Sequence, residues 1–415
     1  MPNDVPLAAN PWSKGMANLP IPARGSALTA DWMGRALAAG GASDLPAITD
    51  MEVEDIGTGA GALSAILRCT MRYEDVGAGG PESVVVKLCS ADRKSLRIAR
   101  LLGMYRREYG CFRQLAPHLP ISLPALLYGD WDETGHRFVL VLEDLRGMEA
   151  MDQIAGAGAT RARRAIRGIA ELHGQFWSRL DRPPGASFLA SVRPPGRLVS
   201  QLLYLICLAP CMKRFGRLFP HRMRHLAKAY GPRVAVHMDE LEAGPQTLTH
   251  GDFRLENMFF GAGQSDAFTV IDWQATGMIG NGLYDVAYFM ATSVPSEVRR
   301  DIEREALREY HEIVCSMGAK DFSWEDCWSR YRQSVLNMLV PCVCACGGLD
   351  MTNPRMHALG EKLVRRTLVA IEDLDAYEFL PGGGRPLTPV RAVPILSRSA
   401  YEAYSVLYRL CGPRT

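Results

Sequence analysis

The chain has 415 residues, 47% of them hydrophobic and 22% charged, close to ordinary globular usage, which points to two or three domains or two unequal lobes. Its formal net charge of +2 sets up no overall field that would draw nucleic acid or an anionic membrane. The 11 cysteines show no disulfide-framework spacing. Cys342, Cys344 and Cys346 alternate in "PCVCACGG", which is no zinc spacing and is read as small side chains packed in a helix. The N-terminus lacks the charged-then-apolar order of a signal peptide, and the longest strongly apolar run, "LLYLICLAPCM", is too short to span a bilayer. The expectation is a cytoplasmic chain with no transmembrane segment.

In chain order, residues 1–28 are rich in Pro, Gly and Ala and read as a loose leader. "LTADWMGRALAAGG" predicts a short helix with Thr29 as N-cap and Gly40-Gly41 at its end. "ITDMEVEDIGTGAGA" predicts a strand running into a glycine turn. After it Leu67, Cys69, Met71 and Tyr73 alternate with Arg68, Thr70 and Arg72, a half-exposed strand. "SVVVKLC" predicts another strand, residues 92–117 one helix, and "FVLVLEDL" a further strand. Beyond residue 150 the pattern is helical except around 249–274. The spacing predicts an α+β protein with a small strand-rich N-terminal lobe, 29–143, and a larger helical lobe, 144–415.

"GTGAG" supplies Gly57, Gly59 and Gly61, which let a backbone approach a phosphate closely. A dinucleotide-binding turn must open a helix, whereas the residues that follow alternate as a strand. Strand, glycine turn, strand suits a flap over nucleotide phosphates, although an ordinary hairpin explains this turn equally well.

Lys87 ends the apolar run "VVVK", where an unpaired buried ammonium is costly. In the following helix Leu101, Tyr105, Phe112 and Leu115 share a stripe, and Glu108 falls on it. The economical reading is a Lys87–Glu108 pair that holds the ammonium against nucleotide phosphates; the competing one is a lysine reaching out to water.

"THGDFRLENMFF" embeds His250, Asp252 and Asn257 among residues that pack in a core, and "FTVIDWQ" ends an apolar strand at Asp272. Phosphoryl transfer needs a carboxylate to orient or deprotonate the attacking hydroxyl, and oxygen ligands for Mg²⁺ on the nucleotide phosphates. H-x-D-x-x-x-x-N followed by a strand ending in Asp provides both. Asp252 is the expected base, with Asn257 and Asp272 as metal ligands.

These residues resemble the aminoglycoside phosphotransferase and choline kinase superfamily, which has the protein-kinase-like two-lobed fold. "HGD…NMFF" and the Gln after Asp-Trp are most similar to its ecdysteroid-kinase-like branch. The resemblance spans about residues 52–290. It implies that "VLEDL" is a hinge whose backbone, around Glu143 and Leu145, holds the adenine. It also implies that Asp285 in "GLYDVAYFM" braces the catalytic loop and that His250 supports that loop rather than reacting. His173 in "ELHGQFW" matches another family helix. Gly251 and Phe253 depart from protein kinases, and no activation-loop signature lies between Asp272 and Asp285, so a small-molecule acceptor is expected.

Two segments bear on that acceptor. "CMKRFGRLFPHRMRHLAKAYGPR" (211–233) is basic and reads as an amphipathic helix with a solvated face. "SWEDCWSRYRQSVLNMLVPCVCACGG" (323–348) opens with Ser323 and Asp326 as a capping box and is then apolar and aromatic. Neither shows the acidic cluster that a polycationic aminoglycoside requires. Glu325 and Asp326 are the acidic residues nearest to hand. The expectation is a Mg²⁺-dependent kinase passing the terminal phosphate of ATP or GTP to a hydroxyl of a neutral, apolar compound. The alternatives are a cationic acceptor of the aminoglycoside or choline type, nucleotidyl transfer, and a catalytically silent nucleotide-binding module.

Overall fold

The computed structural model describes residues 19–57, 63–75, 79–132, 135, 137–179, 197–263, 265–275 and 279–382. The chain divides into two compact units. The smaller draws on Met1–Arg100, Tyr109–His118 and Pro124–Leu145, and the larger on Leu101–Glu108, Leu119–Leu123 and Arg146–Thr415. The architecture is α+β as expected, with an antiparallel sheet in the smaller unit and mostly helices in the larger.

Helix α1 (Ala30–Ala39) opens the smaller unit, with the Thr29 side chain accepting from the Trp32 backbone N–H at 3.1 Å, the predicted cap. Five strands follow: β1 (Ile48–Asp55), β2 (Ser64–Tyr73), β3 (Ser83–Cys89), β4 (Leu126–Asp132) and β5 (Arg137–Glu143). They form one antiparallel sheet in the order β1-β2-β3-β5-β4. Period two sorts their side chains by face. Leu67, Cys69, Met71, Val84, Val86, Leu88, Val139 and Val141 pack with Trp32, Met33, Ala36 and Leu37 of α1. Lys87 lies between Val86 and Leu88 and therefore belongs to the other face, opposite Ile66 on β2 and Leu140 on β5. The side chain of Asp144, just past β5, is buried and accepts from Arg68 Nε at 2.8 Å and from Ser83 Oγ at 2.7 Å, tying β2 and β3 to the end of β5.

The single helix expected over 92–117 is interrupted. One helix spans Arg93–Leu101 and a second Met104–Gly110, which continues as a wide turn over Cys111–Leu115. Gly103 sits between them at φ +63°, a left-handed conformation that glycine tolerates and that ends a helix. The Arg107 guanidinium caps the freed Leu102 carbonyl at 3.0 Å.

In the larger unit, β6 (Met148–Ala150), β8 (Met258–Gly261) and β9 (Phe268–Val270) form a small sheet, and β7 (Thr247–Leu248) pairs with β10 (Ile279–Gly280). Most of the rest of the unit is helical, including Ala159–Phe176, Leu283–Ser293, Ser296–Ser316, Trp324–Asn337 and Pro354–Asp373. The basic segment 211–233 is not one helix. A helix ends at Phe215, a tight turn covers Gly216–Leu218, and Pro220 starts a new helix over His221–Tyr230. Ser323 caps the helix at Trp324 as expected, but that element stops at Asn337 and a separate helix runs Leu339–Gly348. There Cys342 and Cys346, four apart, are buried and Cys344 is partly buried, which is helical packing. Among the described residues no group of three or more His, Cys, Asp or Glu side chains could hold a metal.

The stretch Arg197–Leu218, 22 residues long, contains an 18-residue window with a mean hydropathy of 1.3, long and apolar enough to cross a membrane by those criteria alone. Part of its surface is packed in the protein. A Cβ on Gly347 would come within 2.1 Å of the Cys207 carbonyl oxygen, and the Tyr204 hydroxyl donates to the Ala227 carbonyl at 2.9 Å.

Candidate active site

The segment 249–257 is held from several sides. Asp285, fully buried in the first turn of helix Leu283–Ser293, accepts from the backbone N–H of His250 at 2.7 Å and of Gly251 at 2.9 Å. Its partner His173 approaches with Nε2 at 3.3 Å, while His173 Nδ1 meets the Tyr310 hydroxyl at 2.9 Å. Gly251 has φ +83°, so the chain turns where its amide faces the Asp285 carboxylate. His250 Nε2 lies 3.1 Å from the Ile271 carbonyl, and its Nδ1 is 3.3 Å from the Asp252 N–H. That arrangement assigns the proton to Nε2 and engages both ring nitrogens in holding backbone.

The apolar neighbours are anchors. Phe253 is fully buried against Phe289, with ring centroids 5.8 Å apart, and Leu255 donates its N–H to Ser293 Oγ at 3.1 Å. Pinned in this way, the loop leaves the Asp252 side chain 24% exposed. Asn257 is buried, and its Nδ2 donates both to Asp252 Oδ2 at 3.0 Å and to the Asp252 carbonyl at 2.9 Å. Arg254 Nε lies 3.2 Å from the same carboxylate oxygen, and its Nη1 pairs with Glu256. Burial alone raises the Asp252 pKa. The Arg254 charge and the hydrogen bonds from Asn257 and Arg254 outweigh it and hold the carboxyl below the ordinary value of 3.8. The Arg254 guanidinium is correspondingly raised, burial notwithstanding, by Asp252 and its other anionic neighbours.

Strands β8 and β9 form a hairpin that brings Asp272 alongside this loop: Met258 pairs with Val270, and Ile271 N–H donates to the Asn257 carbonyl at 2.9 Å. Asp272 has φ +65°, uncommon for a non-glycine residue and costing on the order of 1–3 kcal/mol. The neighbouring residues hold it there. Trp273 is fully buried, donates Nε1 to the Val270 carbonyl at 2.9 Å and packs edge-on against His250 at 4.7 Å, while Gln274 Nε2 reaches Asp272 Oδ2 at 3.1 Å.

The structure therefore brings together His250, Asp252, Asn257, Asp272 and Asp285, all within the larger unit. Lys87, in the smaller unit, and Glu108, in the larger, are buried at 6% and 0% exposure. Gly57 follows β1, with its N–H on Asp55 Oδ1 at 2.9 Å; Gly59 and Gly61 lie outside the described residues. Glu143 exchanges hydrogen bonds with Ala125, its N–H donating to that carbonyl at 2.9 Å and its Oε2 accepting from that N–H at 3.1 Å. Leu145 follows Asp144 at the end of the smaller unit. Sequence reasoning passed over Arg254, whose charge two residues after Asp252 was the available signal, and Asp144, whose partners are distant in sequence.

A model of the phosphotransferase enzyme family, APH, matches residues 73–321, more than half of the chain. No curated protein sequence matches it. Similar solved structures include choline kinase from Cryptosporidium parvum Iowa II, at 11% identity and TM-score 0.48 over 80% of this chain and 92% of that one. The GDP complex of aminoglycoside 2'-phosphotransferase-IIIa aligns at 15% identity and TM-score 0.48, covering 79% of this chain and 94% of that one. Ethanolamine kinase from Plasmodium vivax aligns at 11% identity and TM-score 0.42, covering 78% and 81%. With the family model spanning the loop, the hairpin and the bracing aspartate, this chain belongs to the phosphotransferase enzyme family.

Proposed function

We propose that the protein is a magnesium-dependent small-molecule kinase that transfers the terminal phosphate of ATP or GTP to a hydroxyl of a neutral, rather apolar metabolite. The observation that carries this reading is the Asp252 carboxylate, fixed by Asn257, kept ionised beside Arg254 and still reached by solvent. A carboxylate in that state orients an acceptor hydroxyl and takes its proton as the new bond to phosphorus forms, typically worth about 10²- to 10⁴-fold. Asn257 commits its amide nitrogen to Asp252, which turns its amide oxygen into a ligand candidate, and Asp272 supplies a carboxylate across the hairpin. That all-oxygen donor set suits Mg²⁺, which when bound neutralises charge on the nucleotide phosphates.

By resemblance, Gly57, Gly59 and Gly61 cover those phosphates, Lys87 paired with Glu108 binds them, and the backbone around Glu143 and Leu145 receives the base. His250 and Asp285 keep the loop in shape. Placement in the ecdysteroid-kinase-like branch rests on "THGDFRLENMFF" and "VIDWQ", and the proposed setting is the cytoplasm. The test is incubation with ATP or GTP, Mg²⁺ and a panel of hydroxylated metabolites, read by mass spectrometry. The proposal expects one acceptor to gain a single phosphate. Absence of Mg²⁺-dependent nucleotide turnover with every acceptor, or transfer of a nucleotidyl group instead, overturns it.

A further inference from the structure

Helix His221–Tyr230 restarts the chain after Pro220 and buries Met223, Leu226, Ala227 and Tyr230 in the protein. His221 and His225, about one turn apart, stand on its exposed side. Their Nε2 atoms meet across 3.1 Å, with ring centroids 4.4 Å apart and planes inclined at 64°. Two N–H groups cannot face each other at that distance, so at least one ring offers a lone pair there.

The separation suits a shared ion. Imidazole nitrogens bind zinc at roughly 2.0–2.1 Å, and two of them 3.1 Å apart then subtend roughly 100° at the metal, between the octahedral and tetrahedral angles. Histidines at i and i+4 on one helix face are a spacing by which helices chelate zinc. The neighbouring arginines are engaged elsewhere. Arg217 pairs with Glu361, Arg222 lies 3.7 Å over the Tyr377 ring, and Arg224 Nε donates to the Phe219 carbonyl at 2.9 Å. Lys228 continues the exposed stripe beyond His225, and the first turn of a helix carries partial positive charge. A cation held by charge, such as Mg²⁺ or Ca²⁺, is therefore disfavoured here. An ion held by its bonds to imidazole tolerates that field better. Among the described residues no third His, Cys, Asp or Glu joins the pair, so water fills the ion's remaining positions.

We propose that His221 and His225 chelate one divalent transition-metal ion of the zinc, nickel and copper class, separate from the oxygen ligands Asn257 and Asp272. The ion bridges the first turn of a helix whose start has no side-chain cap, and so fastens it where the chain restarts. The site does not depend on the kinase reading.

The test uses the full chain without an affinity tag, in excess Mg²⁺ to occupy the oxygen ligands, titrated calorimetrically with Ni²⁺ and with Zn²⁺. The pair predicts one Ni²⁺ per chain and slowed hydrogen exchange in helix His221–Tyr230. His221→Ala and His225→Ala should each weaken binding about tenfold or more. The double variant should lose no more than either, because a chelate fails when one arm is gone. Both positions are exposed in a helix, where alanine is favourable, so these variants fold. Four results overturn the site: binding unchanged in either single variant, losses that add in the double one, unaltered exchange in this helix, or saturation only above about 1 mM Ni²⁺.

Discussion

Asn257 holds Asp252 twice, through one amide nitrogen that reaches both the carboxylate at 3.0 Å and the backbone carbonyl at 2.9 Å. The same residue's carbonyl receives the Ile271 N–H, so one asparagine ties the proposed base to the segment just past β9 that carries Asp272. Asn257→Ala is therefore expected to damage two things at once. The Mg²⁺ concentration needed for half-maximal turnover should rise about tenfold or more, and kcat should fall even at saturating Mg²⁺. Titrating activity against Mg²⁺ for both proteins checks this; an unchanged Mg²⁺ requirement removes Asn257 from the metal site.

Arg254 governs the acid side of the pH profile. A carboxyl whose folded-state pKa lies below its ordinary value is ionised across a wider range, and the stability this contributes is present above the unfolded pKa and is lost as pH falls through the folded one. Arg254→Gln removes the opposing charge while burial remains, so the Asp252 pKa should rise. The acid limb of kcat/KM should then move to higher pH, where the wild type is still fully active. A limb that stays in place, measured from pH 4 to 8 in one buffer series, contradicts this role.

Asp285 is expected to act through the loop's shape. Asp285→Asn retains the size but offers one accepting oxygen where His250 and Gly251 now use two. Leaving one of these buried amides without a partner costs about 1–3 kcal/mol. Denaturant unfolding should show that loss, and hydrogen exchange at the His250 and Gly251 amides should quicken more than exchange in α1. Uniform exchange changes across the chain are the opposite result.

The catalytic loop was legible because its chemistry is local. Asp252 and Asn257 lie five positions apart in one apolar stretch, and Asp272 closely follows the apolar run that forms β9. The Thr29 cap and the buried alternation of Leu67, Cys69 and Met71 were legible for the same reason. What failed was of two kinds. Breaks inside helical patterns were overlooked: Gly103 takes a left-handed conformation within an otherwise periodic stretch, and Pro220 restarts a helix that composition had made continuous. Partners remote in sequence were invisible, since nothing near His173 announces Tyr310 and nothing near Asp144 announces Arg68.

Asp252→Ala tests the central claim most directly. The variant should keep the wild-type Tm and nucleotide affinity, since the side chain sits at an accessible edge of a loop pinned by Phe253, Leu255 and Asp285. Mg²⁺-dependent phosphate transfer to an alcohol should fall to background. A folded, nucleotide-binding Asp252→Ala protein that turns over at the wild-type rate would contradict the account.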